Sequence, residues 1–208
     1  MVKYPKRNFL IILIAPSGGG KSTIGHEILK RNENIEYSVS YTTRKPRFYE
    51  KNGKDYFFVS EKDFLEMKEK NEFLEYAKVH GNWYGTSLSY IRRKNETGKH
   101  ILLDIDIQGA KNIVRSGIDA VTIFILPPTE KVLKDRLIKR DSDSSEVVSM
   151  RLKNAAAEID EIGNFQYLVI NDELEKAVQT VQSIITAEEN RVERYEKIKE
   201  IFYGVNND

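Results

Sequence analysis

Phe9-Leu10-Ile11-Ile12-Leu13-Ile14 runs without a gap into Ala15-Pro16-Ser17-Gly18-Gly19-Gly20-Lys21-Ser22-Thr23. The apolar run reads as a buried strand, and the glycines that follow it as a turn. Glycines let consecutive backbone N–H groups converge on phosphate oxygens with no Cβ in the way. Lys-Ser-Thr then opens a helical stretch carrying Ile24, Ile28 and Leu29, whose N-terminus adds free donors and a favourable dipole. In such a loop the Lys21 ammonium reaches the β/γ-phosphates, and the Ser22 hydroxyl can complete a Mg²⁺ shell. The pattern G-x-x-x-x-G-K-[ST] is met except at its first glycine, which is Ala15. A strand–helix turn without a ligand would account for the glycines but not for the Lys-Ser-Thr behind them. The chain is therefore expected to bind a nucleoside triphosphate through residues 15–23.

Composition narrows the setting. The 208 residues suit one domain with appended segments, or a core with two small insertions. A chain of this size buries about 70% of its unfolded surface, enough for an ordinary core. Lys and Arg number 33 against 32 Asp and Glu, a net charge of +1. That balance argues against a polyanion held by bulk charge, so no nucleic-acid partner is expected. Cysteine is absent, which excludes disulfides and thiolate metal sites and suits a reducing compartment. The run at 9–14 is too short to span a bilayer, and the residues before it do not read as a secretory signal. A cytoplasmic location with no membrane partner is expected.

Outward from the loop, helical and strand patterns alternate. This predicts an α/β fold with a largely parallel sheet core flanked by helices. The first helix runs to about Asn32. Short strands are expected at 37–39 and 56–59, with Asn52-Gly53 as a turn between them. Ser60 caps a helix through Phe64, Leu65 and Met67, with Asp63 completing the cap. A hairpin follows over 73–84, turning at Gly81-Asn82, and then a helix over 87–97 capped by Thr86. Ile101-Leu102-Leu103-Asp104 reads as a buried strand ending in a carboxylate, and Val121–Leu126 as another, stopped by Pro127-Pro128. Helices over 129–140 and 147–159 flank a polar loop, and Tyr167–Ile170 forms the last strand. From Glu173 one long amphipathic helix is expected towards Ile201, docked through Val178, Ile184 and Ile185. The whole reads as a single domain over 1–208, with core segments at 8–35, 98–128 and 160–208 and inserted segments at 36–90 and 129–158.

Several side chains outside the loop have the right chemistry for a phosphoryl-transfer site. Asp104 ends a strand of the kind that lies beside such loops, where a carboxylate can hold Mg²⁺ with Ser22. An ordinary strand-end aspartate is the plain alternative, and the loop upstream tips the balance towards metal. Arg44-Lys45-Pro46-Arg47 sets two guanidiniums around a proline that forbids helix. Arg136 and Arg140 share a helix face, and Arg151 follows the polar loop. Guanidinium forks suit the phosphate oxygens over which transition-state charge is spread; a solvated basic face is the alternative. Ser40, Tyr56, Glu75, Tyr84, Thr86 and Asp106 add a polar set suited to guanine. A carboxylate can take its N1–H and N2–H₂ donors, and hydroxyls can serve O6 and N7. Adenine lacks that donor pair. His26, His80 and His100 have no partner at metal-ligand spacing.

The stretches SVSYTTRKPRFYEKNGKDYFFVS, NEFLEYAKVHGNWYGTS, ILLDIDIQGAK and VINDELEKA closely resemble guanylate kinases, collinearly from about Phe9 to about Lys176. The resemblance implies a P-loop core, an insertion over 36–90 that binds GMP, a lid over 129–158, and Mg²⁺-dependent phosphoryl transfer from ATP to GMP or its deoxy form dGMP. By position it implies guanine contacts at Ser40, Glu75, Thr86 and Asp106, and GMP-phosphate contacts at Arg44, Arg47, Tyr56 and Tyr84. Lys21 and Ser22 match the ATP and Mg²⁺ ligands, Arg136, Arg140 and Arg151 the lid arginines, and Asn171 a position near adenine. Family members commonly carry glycine where this chain has Asp141, whereas alanine at the position of Ala15 occurs among them. Competing readings are a non-catalytic guanylate-kinase-like interaction module and a P-loop kinase for another nucleotide. A monomer or a homodimer is expected.

Overall fold

The computed structural model describes residues 4–79, 81–140 and 145–204. Strand β1 (Leu10–Ile14) leads into helix α1 (Lys21–Arg31), followed by β2 (Ile35–Tyr37), β3 (Tyr41–Thr42), β4 (Phe57–Phe58), α2 (Glu61–Glu69), β5 (Phe73–Val79) and β6 (Asn82–Ser87). Helix α3 (Leu88–Asn95), β7 (His100–Asp104), α4 (Ile107–Arg115), β8 (Ala120–Leu126), α5 (Glu130–Arg140) and α6 (Ser145–Ile159) come next. The chain closes with β9 (Tyr167–Ile170), α7 (Leu174–Glu189) and α8 (Ile198–Tyr203).

Five strands form a sheet in the order β2-β7-β1-β8-β9, and every neighbouring pair is parallel. Because β1 is covered on both faces, its sequence shows no polar alternation. Ile11 and Leu13 join Ile24 and Ile28 of α1 and Val178, Val181 and Ile185 of α7 on one side. Leu10, Ile12 and Ile14 join Ala110 and Ile113 of α4 on the other. Register pairs Leu13 with Asp104, so the carboxylate ends its strand level with the start of the glycine loop. This is the place where open parallel sheets collect ligands.

A second sheet takes the order β4-β3-β6-β5, with β5 and β6 an antiparallel hairpin. Phe64 of α2 stacks on Phe73 at 4.4 Å and on Trp83 at 5.8 Å between ring centres, which anchors the hairpin to the helix. Ser60 caps α2 as expected, its Oγ accepting from the Asp63 amide and donating to the Asp63 carboxylate.

Three local expectations need correction. Thr86 does not cap a helix; it is a buried strand residue, and Ser87 caps α3 by accepting from the Tyr90 amide. Helix α4 is absent from the sequence-based expectation although it is strongly amphipathic and capped by Asp106 through the Gly109 amide, because it is only nine residues long and carries a glycine in its first turn. The long C-terminal helix is broken. Helix α7 ends before Asn190, a 3₁₀ turn spans Val192–Arg194, and α8 restarts only at Ile198. The break brings Arg194 back under the sheet, where its guanidinium meets Glu188 at 3.1 Å, Asp119 at 2.7 Å and the Phe9 ring at 4.0 Å. A continuous helix could not make those contacts. Among the described residues no helix is long and apolar enough to cross a membrane.

Candidate functional site

The glycine loop forms as its sequence requires. Gly18 and Gly20 hold φ values of 84° and 96°, open to glycine and strained for other residues. The Gly19 amide donates to the Pro16 carbonyl at 2.8 Å. Ala15 fits because residue 19 has no side chain: a Cβ there would stand 2.8 Å from the Ala15 methyl. Residues 15–23 line a cavity of about 620 Å³ together with Arg136, Asn171, Asp172 and Leu174. Buried Asn171 donates from Nδ2 to the Gly19 carbonyl at 2.8 Å, and its own carbonyl accepts from Arg136 Nη2 at 2.9 Å. Its amide thus braces the loop while its backbone anchors the arginine.

Lys21 reaches across from the loop to β7. Its Nζ lies 2.6 Å from Asp104 Oδ1 and donates to the Ile105 carbonyl at 2.7 Å. Ser22 Oγ donates to Asp104 Oδ2 at 3.1 Å. One hydroxyl and one carboxylate make a hard, all-oxygen donor pair beside the loop, suited to Mg²⁺ that takes its other ligands from phosphates and water. Among the described residues there is no group of three or more His, Cys, Asp or Glu that could hold a metal ion.

A second cavity, of about 200 Å³, opens on the other side of Lys21. Its walls are Ser40, Tyr56, Glu75, Tyr84 and Asp106, with Ala77, Val79, Asp104 and Ile105. Five of the residues expected to hold the acceptor therefore converge, although they come from three separate stretches of chain. Glu75 and Thr86 are register partners in the hairpin, and Thr86 Oγ1 donates to Glu75 Oε1 at 2.6 Å. Burial pushes the Glu75 carboxyl up to about 7, against the Thr86 hydrogen bond and helped by nearby Asp106. Burial likewise raises the Tyr56 phenol to about 12, with Asp104 adding to the effect.

Arg44 stands over the Tyr56 and Phe58 rings at 5.4 and 5.8 Å, at the rim of this cavity. Arg47 is close by, its Nη1 donating to the Tyr49 hydroxyl at 3.1 Å. Arg136 and Arg151 lie on α5 and α6, and Arg140 is the last residue of α5. Asp141 falls outside the described residues.

Two residues with a part in the site escaped the sequence reading. Glu50 grips Arg44, and only its position three residues after Arg47 hinted at a loop contact. Glu158 of α6 turns a carboxylate oxygen away from solvent with no hydrogen-bond partner among the described residues. Burial raises its pKa and the charge of Lys21 opposes that rise. Nothing in its sequence neighbourhood marked it.

The sequence pattern of the guanylate kinase family matches residues 7–188. The chain belongs to the guanylate kinase family. It is 46% identical over 198 residues to the guanylate kinase of Geobacter sulfurreducens, covering 95% of this chain and 98% of that one. It is 44% identical over 189 residues to that of Clostridium tetani, covering 91% and 90%. The crystal structure of guanylate kinase from Anaplasma phagocytophilum superimposes with a TM-score of 0.80 at 31% identity, over 97% of both chains. A guanylate kinase fold accounts for the parallel core sheet and the separate hairpin sheet in one scheme.

Proposed function

We propose that this chain is a guanylate kinase that transfers the γ-phosphoryl group of ATP to GMP, giving ADP and GDP. One observation carries the proposal: Lys21 belongs to the wall of both cavities, the loop site and the smaller polar one. A group placed between a donor and an acceptor site can touch the phosphoryl group as it passes. Residues 15–23 would cradle the ATP phosphates, with Asn171 and Arg136 bracing the loop from the side. Glu75, Ser40, Thr86 and Asp106 would read the guanine, while Arg44, Arg47, Tyr56 and Tyr84 hold the GMP phosphate.

The attacking phosphate oxygen is already anionic, so no strong general base is called for. Lys21 and the arginines act by offsetting transition-state charge, and positioning does the rest. Ser22 and Asp104 would hold Mg²⁺, which supplies neutralising charge on the ATP phosphates when bound. Segment 36–90 would serve as the acceptor-binding unit and 129–158 as a lid carrying Arg136, Arg140 and Arg151. Closure of both would exclude the water that otherwise hydrolyses ATP.

A coupled assay of ADP release across GMP, dGMP, AMP, CMP, UMP and TMP tests the assignment. Turnover confined to GMP and dGMP is expected. Equal turnover of AMP would remove the guanine-reading role of Glu75, and no acceptor-dependent release would return the chain to the non-catalytic reading.

A further inference from the structure

Gly109 breaks a local rule. It lies in the first turn of α4, where alanine is the better helix former, and its φ lies outside the left-handed range that would demand glycine. What it lacks is room. A Cβ at 109 would stand 2.5 Å from Glu75 Oε2, 3.0 Å from Glu75 Cδ and 3.2 Å from Asp106 Oδ1. The Glu75 carboxylate cannot simply swing aside without loss, because Thr86 holds its other oxygen at 2.6 Å and the side chain is buried. Violations of local propensity in folded proteins concentrate at functional sites.

We infer that Gly109 is a specificity-determining position of the acceptor site. The empty space above it lets Glu75 and Asp106 stand side by side in the pose that reads a guanine edge. This rests on the acceptor reading given above. The contact met by an added methyl is the far end of a side chain, so the fold can adapt. What gives way is the carboxylate, and with it the paired acceptance of N1–H and the 2-amino group. Gly109 touches no part of the ATP loop cavity.

The test compares GMP with IMP, which keeps N1–H and O6 but lacks the 2-amino group. In Gly109→Ala, kcat/KM for GMP is expected to fall at least about tenfold, the worth of one charge-assisted hydrogen bond. IMP should lose less, so the GMP/IMP ratio falls, while KM for ATP stays within twofold. Glu75→Gln serves as the reference. If it leaves the GMP/IMP ratio unchanged, the acceptor reading itself fails. If it collapses the ratio and Gly109→Ala does not, the inference about Gly109 is overturned. Thermal melting guards against a folding artefact. Any loss of Tm in Gly109→Ala should disappear in a Glu75→Ala background, where the methyl has space. An equal loss in both backgrounds would show that the clash lies within the helix, and would overturn the inference.

Discussion

Glu50 clasps Arg44 with both carboxylate oxygens. Oε1 accepts from Nη2 at 2.7 Å and Oε2 from Nη1 at 3.0 Å. The same Oε2 accepts from the Arg47 backbone amide at 2.7 Å. One largely buried carboxylate thereby fixes a guanidinium and the turn that carries a second one. The Arg44 hydrogen bond holds the Glu50 carboxyl below its usual range despite burial. Guanidinium–carboxylate forks of this kind set orientation as well as energy. Nη1 also donates to the Lys45 carbonyl at 2.8 Å, so Arg44 is held at the rim by contacts within its own loop as well.

If Glu50 positions Arg44 for the GMP phosphate, Glu50→Gln should raise KM for GMP about tenfold, the scale of one charge-assisted contact. KM for ATP should not move, because the loop cavity shares no wall with this turn. Glu50→Asp should recover part of the loss by keeping the charge. Steady-state kinetics with each substrate varied would show it, and equal changes in both KM values would mean general loosening instead.

Glu75 should make GMP binding depend on pH. Its carboxyl is raised to about 7 by burial, whereas guanine donors call for the charged form. Binding therefore releases a proton near and below that value, and affinity falls by up to tenfold per pH unit below it. The phosphate of GMP titrates near pH 6, so the quantity to measure is the difference from Glu75→Gln, in which this dependence should vanish. Folding obeys the opposite pressure. With its native pKa above the unfolded value of 4.5, the folded state binds the extra proton, and stability declines as pH rises from there towards 7. Isothermal calorimetry in buffers of different ionisation enthalpy would measure the protons. A wild type that releases no more than Glu75→Gln would refute the assignment.

How much of this was legible in the sequence differs from one element to another. Ile11 to Lys21 declared itself, since a two-sided buried strand and a phosphate loop are both local patterns. Asp104 needed only one more strand, and the parallel register then fixed it level with Leu13. Glu75 and Thr86 are a different case. Each is unremarkable alone, and only the hairpin register makes them partners. The family resemblance named them before any geometry did. The break after α7 lay beyond local reading altogether. Helical periodicity continues through 190–197, but the pull of Arg194 towards Glu188 and Asp119 is tertiary and overrides it.

Asp104 joins Lys21 to the hydroxyl of Ser22, and its charge should matter more than its shape. Asp104→Asn should lower kcat about a hundredfold, in the range seen when one preorganised electrostatic contact is lost. It should also raise the Mg²⁺ concentration needed for half-maximal rate. Ser22→Ala should produce the same shift in weaker form. Removing the metal with EDTA should abolish transfer in all three proteins. Rates measured across a Mg²⁺ titration at saturating ATP and GMP decide the point, and an unchanged metal requirement in Asp104→Asn would take the residue out of the metal site.

Arg194 offers a control far from the chemistry. It lies beneath the start of β1, opposite the glycine loop, with only 4% of its surface exposed. It joins α7 through Glu188, the loop residue just before β8 through Asp119, and the Phe9 ring. Removing Arg194 leaves the buried Glu188 carboxylate with only the Tyr167 hydroxyl and a longer 3.5 Å contact to Arg191, which puts the cost at the low end of the about 3–5 kcal/mol of a broken buried pair. Arg194→Met, which keeps the apolar stem, should therefore lower Tm by roughly 10 °C for a chain of this length, with kinetic constants at 25 °C unchanged. The acid limb carries a second signature. Burial opposes ionisation of Glu188, but hydrogen bonds from Tyr167 and Arg194 prevail and hold its carboxyl below the usual 4.5. A depressed carboxyl stabilises the fold above the unfolded pKa, and that contribution is lost as pH falls through the folded one. Below about pH 4.5 the stability of Arg194→Met should thus decline less steeply than that of the wild type, because one of the groups depressing Glu188 is gone. Denaturant unfolding between pH 3 and 7 would measure both effects, and a variant that melts within 2 °C of the wild type would show that the broken C-terminal helix is held by something other than Arg194.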